Sequence, residues 1–235
     1  MTQVSQELYD RVWLGPMTQT DPLTISNHRS NRPRPGKGSS SANSNANGPI
    51  SSRPVISVFG SSQVRRGSEL YGVAHHMGVL LGRAGFDLMT GGYKGVMEAA
   101  SRGGHDAGAR VTGITMARFG DQVNPSVMKE IRTASFYERF GWLVDRADGY
   151  VAMHGGIGTL AEVTFTWQAI LLGMVPPRPL ILVGERWQRS FKTFRATLIG
   201  SLVTYRPVAL VATPEQALKR LLGHFPQLAP ISQST

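Results

Sequence analysis

From Pro54 onward, short apolar runs alternate with longer segments of helical periodicity, and several of the short runs stop at glycine. The short runs are PVISVFG (54–60), FDLMTGG (86–92), RVTGITM (110–116), KEIRTA (129–134), GYVAM (149–153), PLILV (179–183) and VALVA (208–212). Most are continuously apolar and rich in β-branched residues. That pattern marks strands buried on both faces, as in a parallel sheet covered by helices, and not the in–out alternation of a half-exposed sheet. Between them, GSELYGVAHHMGVLLGRAG (67–85), GVMEAASRGG (95–104), FYERFGWLVDRA (136–147) and TLAEVTFTWQAILLG (159–173) read as helices, followed by one near 190–201 and one over 214–224. Ser68 is an expected N-cap and Gly85 an expected stop. Strand and helix in strict succession predict a doubly wound α/β fold with a mainly parallel sheet and helices on both faces.

The alternation does not cover the whole chain. Residues 27–53, NHRSNRPRPGKGSSSANSNANGPISSR, hold almost no large apolar side chain. Such a stretch cannot bury enough surface to offset its ordering entropy. The expected organisation is a flexible tail over 1–53, an α/β domain over 54–225 and a short C-terminal tail over 226–235.

Composition narrows the chemistry. There is no cysteine among the 235 residues, so disulfides, thiolate metal sites and a cysteine nucleophile are excluded. His75 and His76 are adjacent and diverge on a helix, and no His-x-x-x-His or acidic cluster occurs, so neither a metal nor a cofactor is expected. No apolar run is long enough to span a bilayer, and no apolar leader segment opens the chain. The expected protein has no membrane association and is cytoplasmic. The formal charge is +10, but the arginines are scattered and carry no interleaved aromatics. That argues for a field attracting a small anion more than for a nucleic-acid interface.

Three of the strands run into loops of glycine and small polar residues ahead of a helix: FGSSQ (59–63), TGGYKGVM (90–97) and HGGIGTL (154–160). A parallel sheet delivers all three loops to one edge. Each could be only a tight turn. Three together suggest a cradle, because glycine lets backbone N–H groups approach a ligand and a helix N-terminus favours an anion. Gly155, Gly156, Gly158 and Thr159 are the expected phosphate holders. None of the loops matches the dinucleotide G-x-G-x-x-G pattern or the P-loop, which leaves a mononucleotide or sugar phosphate as the expected ligand.

At this point the chain resembles a known family. GGIGTLAE (155–162) is similar to the P-G-G-x-G-T-x-x-E motif of the LONELY GUY (LOG) phosphoribohydrolases, often labelled lysine decarboxylase-like. TGGYKGVMEAASRGG resembles the companion T-G-G-G-P-G-I-M-E-A-A-N-x-G motif. Arg139 stands fifteen residues before His154, where the family carries an arginine ahead of the motif's first position. TFTWQAILLGMVPPRPLILV follows the family's T-W-x-Q-L-G pattern and the K-P-x-x-L that comes after it. The likeness spans about 54–225. His154 stands where the family has proline, Phe140 where it has lysine after the arginine, and Tyr93-Lys94 where it has Gly-Pro. No lysine motif for pyridoxal phosphate is visible.

The resemblance implies a Rossmann-like, usually dimeric protein. Its implied reaction is hydrolysis of the N-glycosidic bond of a nucleoside 5′-monophosphate, such as a cytokinin riboside monophosphate, to free base and ribose 5-phosphate. Arg139 and Glu162 would be catalytic. Glu162, one turn into a helix, would face the ribose as it gains positive charge. Arg139 would hold the phosphate or stabilise the departing base. Gly60, Ser61, Ser62, Gly91, Gly92, Glu98, His154, Gly155, Gly156, Gly158 and Thr159 would bind the substrate. Trp142 and Trp167 would pack in the core or at a dimer interface. The alternative is a non-hydrolytic protein of the same superfamily that binds a nucleotide or the molybdenum cofactor on the same loops.

Overall fold

In the computed structural model, which describes residues 53–120, 122–199 and 202–228, the apolar run after Pro54 forms the central strand of a sheet. The elements follow in the order β1 (Val55–Phe59), α1 (Glu69–Arg83), β2 (Asp87–Thr90), α2 (Val96–Asp106), β3 (Val111–Met116), a 3₁₀ turn at Ala117–Phe119, and β4 (Lys129–Thr133). The second half comprises α3 (Phe136–Asp145), β5 (Gly149–Ala152), α4 (Ile157–Leu171), β6 (Leu180–Val183), α5 (Glu185–Thr197), a short α6 (Leu202–Tyr205), β7 (Val208–Val211), α7 (Pro214–His224) and a 3₁₀ turn at Pro226–Leu228. The seven strands are all parallel, in the order β4-β3-β2-β1-β5-β6-β7. The doubly wound sheet expected from the alternation is therefore observed.

Why both faces are covered is visible in β1. Ile56 and Val58 join one apolar cluster with Met77 and Leu81 of α1, Ala99 and Ala100 of α2, and Ala217 and Leu221 of α7. Phe59 points the other way, into a cluster with Leu143 of α3, Val163 and Trp167 of α4, and Trp187 and Phe191 of α5. The two-residue period of the strand divides its side chains between these layers. Ser57, on the second face, is fully buried, and its hydroxyl donates to the Leu143 carbonyl at 2.6 Å. Trp167 stacks on Phe191 at 5.2 Å and donates its indole N–H to the Thr204 carbonyl at 2.6 Å, whereas Trp142 is only partly buried against this layer.

Boundaries shift where local chemistry is stronger than periodicity. The helix expected near 190–201 starts at Glu185, because Gly184 (φ 107°) turns the chain directly out of β6 and an acid suits the first turn. It ends by Thr197, and the short α6 was not anticipated. Arg53, at the end of the expected tail, donates to the carbonyls of Gly85 (2.9 Å), Gly82 (3.0 Å) and Gly108 (2.8 Å). Leu228, at the start of the expected C-terminal tail, packs against the first apolar cluster. The rest of the N-terminal segment, through residue 52, and residues 229–235 lie outside the described residues. Among those described, no helix is long and apolar enough to cross a membrane.

α1 and α2 approach through glycines. A β-carbon on Gly78 would run into the Ala100 carbonyl, and one on Gly103 into the His75 carbonyl. Both obstacles are backbone, which cannot swing aside. Gly103→Ala is therefore expected to cost about 1–3 kcal/mol, the usual penalty of overpacking. Urea unfolding checks this: the midpoint should fall with the slope unchanged. An unshifted midpoint would mean that the two helices separate freely.

Candidate active site

The order of the strands fixes where a ligand can enter. The order in which strands are added switches from one side of β1 to the other at β5, and in parallel sheets a crevice forms beyond the carboxyl ends of the strands at such a point. A cavity of about 850 Å³ opens there. Its lining includes Gly60, Ser61 and Ser62 after β1, Tyr93 and Lys94 after β2, Phe119 and Gln122 after β3, and Gly156, Ile157, Gly158 and Thr159 at the start of α4. Phe136, Arg139 and Phe140 from α3 and Glu162 from α4 complete it.

Arg139 and Glu162 meet inside this cavity. The guanidinium Nη1 donates to Glu162 Oε1 at 3.2 Å, and Nε donates to the Ile114 carbonyl at 3.0 Å. Both residues are buried, at 5% and 8% exposure. α3 is held at its start by Ser135, whose hydroxyl accepts from the Glu138 amide at 3.1 Å. One turn later, Arg139 passes beneath Gly91. A β-carbon on Gly91 would strike the guanidinium and the Met97 sulfur. Gly91 thus makes room for the arginine and does not itself line the cavity.

Burial is the largest influence on Glu162 and raises its pKa from 4.5 to about 6, even though Arg139 pulls it down. A carboxyl whose folded value is raised holds its proton more tightly folded than unfolded. Stability therefore falls as pH rises from about 4.5 toward about 6. Above that range the carboxylate is charged, buried and dependent on its arginine.

The glycine loop after β5 divides its work. A β-carbon on Gly155 would collide with Thr159 and come within 3.0 Å of the Ser61 amide nitrogen, so Gly155 brings the β1 and β5 loops together. On Gly156 and Gly158 it would meet nothing within 4 Å. These two leave backbone uncovered at the cavity. Gly156 caps α4 without any side-chain hydrogen bond, so the first-turn N–H groups have no side-chain cap.

Of the other expected site residues, some line the cavity and some lie elsewhere. Gly60 lines the cavity but also packs, since a β-carbon there would overlap Val96. Gly92 holds the turn after β2 with φ 78°, its amide donating to Thr90 Oγ1 at 3.1 Å. Glu98 is buried, accepts from Arg66 Nε at 3.0 Å and from Arg66 Nη2, and lines an adjoining cavity of about 970 Å³ with Arg65 and Lys94. His154 is half-buried, with its ring 6.5 Å from Trp187 and outside the main cavity's lining. Burial first, then Arg186 and Arg189, lower its pKa and so favour the neutral ring.

Phe136, Phe119, Met97, Gln63 and Gln122 line the cavity without having been anticipated. Phe136 was legible, because it shares the α3 face with Arg139 and Phe140 at spacings of three and four. Phe119 and Gln122 follow β3 in a loop with no glycine motif. Only the rule that ligands gather at the carboxyl ends of parallel strands points to them.

The fold and the paired glycine loops define a LOG-type Rossmann-like protein. A family model described as the SLOG cluster4 family matches residues 53–187 of the 235, and the chain belongs to that family. The chain is 33% identical over 95 residues to an uncharacterized protein of Archaeoglobus fulgidus, an alignment covering 40% of this chain and 62% of that one. It thus spans less than two thirds of that relative. It is 28% identical over 140 residues to a cytokinin riboside 5′-monophosphate phosphoribohydrolase of Mycobacterium tuberculosis, covering 58% of this chain and 73% of the relative. Among solved structures, the molybdenum cofactor binding protein of Rippkaea orientalis superposes with a TM-score of 0.61 at 24% identity, covering 74% of this chain and 98% of the other. At that identity the likeness concerns the fold.

Removing the arginine tests the electrostatics of the site. Arg139→Met should destabilise the protein by about 3–5 kcal/mol at pH 8, where Glu162 is left ionised, buried and unpaired. At pH 5 the carboxyl is protonated and the loss should be clearly smaller. Urea unfolding at the two pH values reads this, and an equal loss at both would show that the pair is not electrostatically coupled.

Proposed function

We propose that this protein hydrolyses the N-glycosidic bond of a nucleoside 5′-monophosphate, giving the free base and ribose 5-phosphate. The observation that carries this reading is the buried Arg139–Glu162 pair facing a cavity beside the uncapped start of α4. The phosphate would sit on the first-turn amides of α4 with Thr159. The C1′–N bond would then break near Glu162, with the bonding pair leaving on the base. Glu162 stabilises the cationic ribose and accepts a proton from the attacking water, whose oxygen bonds to C1′. Net, water supplies hydroxyl to the sugar and a proton to the base. Arg139 lowers the cost of keeping Glu162 ionised and offers donors to charge developing on the leaving group. Its relative in Mycobacterium tuberculosis, a cytokinin riboside 5′-monophosphate phosphoribohydrolase, supports the same bond type.

A second reading, a carrier of nucleotide or molybdenum cofactor, is favoured by one observation. Glu98 is engaged by Arg66 and lines the adjoining cavity, which leaves Glu162 as the carboxylate among the described residues lining the main one. The cofactor-binding protein of Rippkaea orientalis shares the fold. Incubation with AMP and with a cytokinin riboside monophosphate, followed by chromatography for free base, separates the two. A carrier would bind the ligand, seen by calorimetry, and release no base.

For the hydrolase, Glu162→Gln should lower kcat at least about a hundredfold with little change in KM, because the charge acts mainly in the transition state. The parent rate should rise tenfold per pH unit up to about 6 and then level off, following ionisation of Glu162. A Glu162→Gln variant as fast as the parent overturns the catalytic role.

We also infer a homodimer. α3 and α4 expose Phe136 (43%), Tyr137 (85%), Ile157 (83%) and Phe165 (40%), and the rings of Phe136 and Phe165 both pack on Phe140, so part of this apolar surface is continuous. Sedimentation should show a dimer at micromolar concentration that weakens with Tyr137→Glu. A monomer throughout would overturn this.

A further inference from the structure

Tyr93 stands where the resembled family carries glycine, and its surroundings give it a defined task. Its hydroxyl accepts from the Met116 amide at 2.7 Å and donates to the Met116 carbonyl at 3.0 Å. Its own carbonyl accepts from Asn124 Nδ2 at 3.2 Å, and the neighbouring Gly92 carbonyl accepts from the Asn124 amide at 2.9 Å. The residue is thereby tied by its hydroxyl to the last residue of β3 and by its backbone to Asn124 in the segment after it. The phenol oxygen is committed to backbone, which makes it a poor candidate for moving a proton at the site. What remains to the cavity is the ring.

That ring is part of an aromatic wall. Tyr93 meets Phe119 edge to face, with centroids 5.9 Å apart and planes at 79°. Phe119 is 53% exposed, and both rings line the main cavity. The same cavity has a polar side made of Ser61, Thr159, Arg139 and Glu162. A pocket with an anion cradle, a buried carboxylate and a fixed π surface is matched to a ligand with a phosphate, a sugar and a flat heterocycle. A ring already immobilised loses little freedom when a ligand stacks on it.

We propose that Tyr93, together with Phe119, forms the platform on which the planar base rests, so that this pair sets the preference for aromatic-base ligands. The proposal rests on the nucleotide reading above. It makes Tyr93 a residue of ligand selection and leaves bond cleavage to other groups.

Calorimetry with two probes, AMP and ribose 5-phosphate, tests it, because they share the phosphate and sugar and differ in the base. Wild-type protein should bind AMP more tightly. Tyr93→Leu should weaken AMP about tenfold, within the range that base–aromatic stacking supplies, and leave ribose 5-phosphate within about twofold. Tyr93→Phe keeps the ring and should retain most of the AMP affinity. Phe119→Leu, at a half-exposed position, should follow Tyr93→Leu in direction. Should Tyr93→Leu fail to fold, photolabelling of the wild-type chain with 8-azidoadenosine monophosphate should still tag the peptides bearing Tyr93 or Phe119. Equal weakening of both probes, unchanged AMP binding in Tyr93→Leu and Phe119→Leu, or label on neither peptide overturns the platform. Wild-type protein that binds ribose 5-phosphate as tightly as AMP overturns it too, while leaving the phosphate site intact. Wild-type protein that binds neither probe overturns the nucleotide reading itself.

Discussion

A buried guanidinium facing a buried carboxylate organises this molecule. Taking both charges out of water costs several kcal/mol, and their attraction recovers that only when geometry is good and the remaining donors are satisfied. The protein meets those terms in part. Arg139 spends its Nε on the Ile114 carbonyl within β3 and its Nη1 on Glu162. Gly91 gives up a side chain so that the guanidinium can lie where it does. Even so, the carboxyl remains harder to ionise than it would be in water. A hydrophobic pair of similar volume would serve packing equally well, so stability alone does not account for the arginine and the acid.

The pair also explains why the two halves of the sheet need each other. Arg139 belongs to the helix that carries the chain from the edge strand β4 back to the centre, and Glu162 to the helix that follows the first strand of the second half. Neither half holds a complete site. Ser57 reinforces the joint from below, bonding β1 to the α3 backbone at Leu143. The switch in strand order between β1 and β5 leaves a crevice beyond their ends, and the paired charges form part of its wall.

Most of the architecture was legible in the sequence, and the reason is physical. Strands buried on both faces must be apolar throughout, so Ile56, Val58, Val151 and Ile181 announce themselves without a partner. Helix ends were less legible, because Gly184 and Glu185 begin α5 earlier than the apolar stripe indicates. In the site, Arg139 and Glu162 were visible through family spacing, and Gly156, Gly158 and Thr159 through the glycine loop. Phe119 and Gln122 were not. Their place at the cavity depends on pairing between β3 and β2, a long-range contact with no local signature. Glu98 illustrates the converse. Its motif position suggested the main cavity, yet it accepts from Arg66, distant in sequence, and lines a neighbouring one.

The glycines divide according to what a β-carbon would meet, and this changes what a motif match means. Gly60, Gly91 and Gly155 are required by the protein itself, because Val96, Arg139 and Thr159 occupy the space a side chain would need. A relative could keep all three for folding alone, whatever it binds. Gly156 and Gly158 have open space and ordinary negative φ, or none that demands glycine, so packing gives no reason for them. Their bareness matters only if something approaches the start of α4 closely. In this motif the two unobstructed glycines, next to the residues that hold charge, are the ones suited to a ligand, and the obstructed ones serve the fold that brings them there.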